Sequence, residues 1–168
     1  MNTMDYFLQA LSVFGGVIAG VFVSAITEML INRQQEKQKL RNLEFELQAN
    51  IKKLDEWLDE LSRYRNAINS DTVSNYFGYF DFARALIFAV NELLRTGTLY
   101  RYLTFEDISR LQVVFYDLSP GGEAHFNNQV NMERQEFLKP RAVTNLNFWE
   151  ERLKEHRKVL QEIVLKLR

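Results

Sequence analysis

The C-terminal stretch NFWEERLKEHRKVLQEIVLKLR contains the two side chains best able to act together on a substrate, Arg152 and His156. Four residues apart on a helix, a guanidinium and an imidazole are neighbours on one surface. An imidazole so placed can act as acid or base near a phosphate while the arginine holds the negative charge. The same spacing admits a structural reading. Trp149, Leu153, His156, Leu160, Ile163 and Leu167 recur at intervals of four and three, which puts His156 on an apolar helical stripe as a core or interface histidine. His125, the other histidine, has no arginine at a matching distance upstream.

A second constellation lies near the N-terminus. Ser12, Gly16, Gly20 and Ser24 repeat every four residues and Glu28 continues the series. At 100° per residue Gln9, Ser12, Gly16, Ala19, Gly20, Ser24 and Thr27 share one side of a helix, whereas Phe7, Leu11, Phe14, Ile18, Val21, Phe22 and Met29 share the other. A ladder of small residues lets helix backbones approach closely, so a self-associating helix is the simplest reading. The hydroxyls, the amide and the carboxylate suggest more. Several copies in a ring would turn this face toward a shared axis, and Glu28 would form a carboxylate ring favouring cations.

The run that carries the ladder has no charged side chain from Tyr6 to Thr27, 22 residues. As a helix that is about 33 Å, the thickness of a bilayer's hydrocarbon core. A cleaved signal peptide fits less well, because the preceding MNTMD has no lysine or arginine and carries Asp5. Arg33, Lys37, Lys39 and Arg41 follow the run, so the bulk of the chain is expected in the cytoplasm and the N-terminus outside an inner membrane crossed once.

The rest of the 168-residue chain has room for one modest domain. We divide it into an N-terminal transmembrane segment, 1–32, and a cytoplasmic helical bundle, 33–168. Lys and Arg number 21 against 22 Asp and Glu, a balance without the basic excess of a nucleic-acid binder, so direct RNA binding has no support in composition. With no cysteine there is no disulfide framework and no thiolate chemistry. No ligand cluster points to a metal or a cofactor.

Two prolines, seven glycines and apolar residues at helical intervals indicate an all-α fold. Leu40, Leu43, Leu47, Ile51, Leu54, Leu58, Leu61, Tyr64 and Ile68 mark one long helix to about Ser70, continuous with the membrane run. The turn-rich INSDTVSNYF breaks it, and a second helix is expected to end at Arg95 before Thr96 and Gly97. Thr104 and Asp107 form a capping box for a third, Phe105 to Leu118, closed by SPGG. A fourth is expected from Glu123 to before Pro140, and a last from Asn145–Asn147 to the end. The aromatics Tyr76, Phe77, Tyr79, Phe80 and Phe82 read as core or subunit interface rather than a base-stacking platform, since no basic residues interleave them.

The Arg152-to-His156 helix at the end of a small bundle resembles the HEPN class, whose ribonucleases carry an arginine and a histidine on a late helix. Taken with the N-terminal membrane run, the chain resembles the family of small membrane-anchored accessory proteins of type VI-B CRISPR systems. That resemblance implies a divergent HEPN-like fold, a homo-oligomeric membrane pore, and antiviral defence beside an RNA-targeting CRISPR effector. Only Leu153, Lys154 and Glu155 separate Arg152 from His156, shorter than the nuclease spacing, so no catalytic residue is assigned. The expected activity is membrane depolarisation. The alternatives are a membrane-tethered HEPN-type ribonuclease and a single-pass scaffold.

Overall fold

The computed structural model describes residues 3–70, 81–132 and 139–167, with the side chains of residues 3–15, 17, 19, 83, 130–132 and 139 outside that description. Among the described residues the protein is all-helical. The helices are α1 (Thr3–Asn69), α2 (Phe88–Arg95), α3 (Phe105–Asp117), α4 (Pro120–Met132) and α5 (Lys139–Leu167), with 3-10 turns at Phe82–Arg84 and Thr98–Arg101. The chain divides into two units, 1–41 and 42–168.

In the first unit, every side chain described from Val21 to Glu36 apart from that of Glu36 is exposed, including Val21, Phe22, Val23, Ile26, Met29, Leu30 and Ile31. No helix among the described residues is long and apolar enough to cross a membrane. Tyr6 to Gly15, the leading part of the uncharged run, falls among the side chains not described.

The second unit is built on the stripe expected for α1. Leu43, Leu47, Leu54, Leu61, Tyr64 and Ile68 are buried, and Trp57 joins them. Four rings from different elements meet at the centre. Phe82 packs edge-on against Trp57 at 4.8 Å and beside Phe126 at 5.3 Å, and Phe126 meets Trp149 edge-on at 5.2 Å. Such offset and edge-to-face pairs add to the burial of large apolar area. Phe82 is thus core, whereas Tyr76 to Phe80 lie outside the described residues.

The third helix starts as its capping box predicts. Asp107 N donates to Thr104 Oγ1 at 3.2 Å and Thr104 N donates back to Asp107 Oδ2 at 3.1 Å. Two other expectations need correction, the starts of the fourth and last helices. The second helix ends at Arg95, as expected, and starts at Phe88. Residues 85–87 are non-helical, because the buried Asn50 of α1 grips Leu86 at both ends, accepting from its N at 2.8 Å and donating to its O at 2.7 Å. Glu46 of α1 then accepts from Ala89 N at 2.8 Å and supplies the cap that Ile87 lacks.

The fourth helix starts at Pro120, not Glu123, since proline suits a first helical position and Ser119 Oγ accepts from Gly122 N at 3.2 Å. The last helix starts at Lys139, so Asn147 is interior to it and caps nothing. Pro140 sits in its first turn, where the missing N–H costs no hydrogen bond.

Candidate functional site

The end of α3 and the middle of α5 come together at Asp117. Ile108, Leu111 and Val114 are the buried face of α3, and Asp117 continues that face by three residues, so its carboxylate enters the core. On α5, Leu153, Leu160 and Ile163 form the buried stripe with His156 among them. Asp117 Oδ2 faces His156 Nε2 at 2.8 Å, and Arg152 Nε donates to the same oxygen. Asp117 is 6% exposed and His156 4%, which makes this a buried cluster closed on one side by the Arg152 guanidinium.

Burial alone would push the Asp117 carboxyl up. Hydrogen bonds from His156 and Arg152, together with the Arg152 charge, outweigh that and hold it below the usual carboxylate range. An ionised carboxylate only accepts, so Nε2 of His156 carries the shared proton. The Arg152 guanidinium also lies over the Phe148 ring, 5.9 Å from its centroid.

Gly122 explains how α4 can start so close to the cluster. A Cβ at this position would strike the Asp117 backbone carbonyl, whereas one at Gly121 would meet only Ser119 Oγ at 3.5 Å. Ion pairs hold α5 to its neighbours. Arg65 and Arg157 of the bundle pair with Glu150 and Asp55, and Arg110 and Lys166 pair with Glu162 at 2.7 Å and Asp107 at 2.6 Å.

Two cavities flank the cluster and share Arg152 and Phe148. One, of about 630 Å³, runs between α3 and α5 and is lined by Val113, Val159 and His156 among others. The second, of about 480 Å³, reaches Tyr116, Gly122 and His125. His125 faces this second space and does not join the Arg152–His156 pair.

Arg152 and His156, expected as neighbours from spacing, are indeed brought to one point, and the agent is Asp117, which the sequence reading did not single out. Its signal was an acid on the buried stripe of α3. Of the N-terminal series, Gln9 and Ser12 lie outside the described side chains, while Gly16, Gly20, Ser24, Thr27 and Glu28 are all exposed. Thr27 Oγ1 donates to Val23 O at 2.8 Å, which satisfies its hydroxyl within the helix. A Cβ at Gly16 or Gly20 would meet nothing within 4 Å, and Gly97 alone among the described glycines has positive φ. Nothing among the described residues therefore requires glycine at either position.

Among the described residues no group of three or more His, Asp or Glu is placed to hold a metal ion. No family model, no curated protein and no solved structure matches the chain.

Proposed function

We infer that the chain is a membrane effector, a homo-oligomer whose N-terminal helices surround a pore and whose opening depolarises the inner membrane. The observation that carries this reading is the exposed apolar series Val21, Phe22, Val23, Ile26, Met29, Leu30 and Ile31 on α1, which no part of the second unit is needed to explain. Water-soluble chains rarely leave so many large apolar side chains bare on one stretch of helix. The uncharged run from Tyr6 to Thr27 extends it upstream, and the basic residues from Arg33 to Arg41 orient it with the bundle in the cytoplasm.

The glycines support oligomerisation, because nothing among the described residues requires glycine at 16 or 20 and small residues serve close approach of neighbouring helices. Thr27 makes no such demand, being satisfied by its own helix. Glu28 does, since an exposed carboxylate beside lipid is costly and a shared aqueous axis removes the cost. In this reading the effector acts in antiviral defence beside an RNA-targeting CRISPR effector. A potential-sensitive dye in cells tests it: depolarisation is expected when that effector engages its target, and no depolarisation in any condition would eliminate the pore. If exchanging residues 1–32 for an unrelated anchor preserves protection, the chain is a scaffold instead.

The ribonuclease reading has one observation in its favour. Asp117 orients His156 as an acid orients a catalytic imidazole, with Arg152 beside it. Against it, the ring is 4% exposed and the acidic Glu151 and Glu155 line the same cavity, where they repel a phosphodiester backbone. Cleavage of single-stranded RNA by purified protein, abolished in R152A and H156A, would establish it.

A further inference from the structure

The cavity between α3 and α5 combines apolar walls with two hydrogen-bonding edges that the chain leaves open. Val113, Val159 and Phe148 supply the walls, and at about 630 Å³ the space is within the range of small-molecule sites. His156 lines it although its side chain is nineteen-twentieths buried. Among the described residues its Nε2 has one partner, Asp117, and its Nδ1 has none. Arg152 is similar. Its Nε is committed to Asp117, while Nη1 and Nη2 have no acceptor among the described residues, and the guanidinium lies 5.9 Å from the Phe148 ring centroid.

The charges around this space decide what can enter. Arg110 is already paired with Glu162 and Glu155, Glu151 is paired with Lys154, and Asp117 balances Arg152. A dianion such as a phosphate monoester would bring a second negative charge for which these pairings leave no cation at the rim. A single carboxylate needs only the free Nη edge of Arg152, which suits two-point recognition, and the tail can use the apolar wall.

The geometry points to a ligand site in this cavity for a monocarboxylate with an apolar body, held by the Nη edge of Arg152, with the His156 ring in the wall. The site is independent of the pore reading and would give the cytoplasmic bundle a chemical input of its own. The probe is 4-phenylbutanoate, titrated into the full chain in detergent with histidine ring ¹⁵N resonances as the readout. Only His125 and His156 contribute, and His125 faces the other cavity. The expected result is a saturable shift of the His156 signals with His125 unmoved, and at least tenfold weaker binding of phenyl phosphate and of 4-phenylbutanol. V113W, at a half-exposed position away from the Asp117 cluster, should abolish the shift with the fold intact. Absence of a His156 shift, a shift that survives V113W, or phenyl phosphate binding as tightly as the carboxylate would each overturn the assignment.

Discussion

Asp117 Oδ2 and His156 Nε2 lie 2.8 Å apart, both residues buried, joining the last turn of α3 to the middle of α5. The pair is the hinge of the candidate site, since both cavities and the Arg152 guanidinium are arranged around it. Removing the carboxylate strands a buried imidazole and a partly buried guanidinium. D117A should cost about 3 kcal/mol, the low end for breaking a buried pair, because Arg152 is 36% exposed and water screens its share. Thermal melting followed by circular dichroism measures it.

The same carboxylate contributes to acid sensitivity with a definite sign. Its folded pKa is below its unfolded value of about 3.9, so its contribution is complete above that pH and is lost as pH falls through the folded value. Asp107 and Glu150 are lowered too, by Lys166 and by Lys154 and Arg65, and act in the same direction. Melting temperature plotted from pH 7 to pH 3 should therefore fall less steeply in D117N than in the native chain. A steeper fall in D117N would contradict the assignment.

Gly122 and Gly121 offer a matched comparison within one turn. G122A drives a methyl into the Asp117 carbonyl and should destabilise by about 2 kcal/mol, as overpacking does, and lower the melting temperature by several degrees. G121A meets an ordinary contact and should leave it within about a degree or two.

Asn50 fixes the segment before α2 by holding both polar groups of Leu86. N50A leaves that backbone unpaired beside the core and should cost about 3 kcal/mol, whereas E46A removes only the cap on Ala89 and should cost about 1 kcal/mol. Hydrogen exchange at Leu86 and Ala89 gives the local readout, faster by the corresponding factors.

The periodic parts of this architecture were open to reading from residue types. The α1 stripe from Leu43 to Ile68, the α3 capping box and the buried register of His156 all follow from spacing of three and four, and the structure repeats them. What escaped depends on contacts distant in sequence. Asn50 and Leu86 are 36 residues apart, and Asp117 and His156 are 39 apart. No local pattern states that an asparagine on an apolar stripe will break a helix elsewhere. The starts of α4 and α5 were misplaced for a local reason: the prolines at 120 and 140 read as stops, and both sit in first turns.

Gly16 and Gly20 carry the assembly prediction. G16L/G20L should leave the melting of the bundle unchanged, because a Cβ at either position meets nothing within 4 Å among the described residues. It should also reduce the particle mass in detergent, measured by light scattering, from that of an oligomer to that of a single subunit. An unchanged oligomer would show that the small-residue ladder is not the contact.

The chain has no cysteine, so single cysteines can map which side of α1 meets water without background. In intact membranes, labelling of S24C and G20C by a charged, water-soluble thiol reagent should exceed that of V21C and F22C by at least tenfold. Equal labelling of the four positions, or faster labelling of V21C and F22C, would contradict a pore lined by the small and hydroxylated residues.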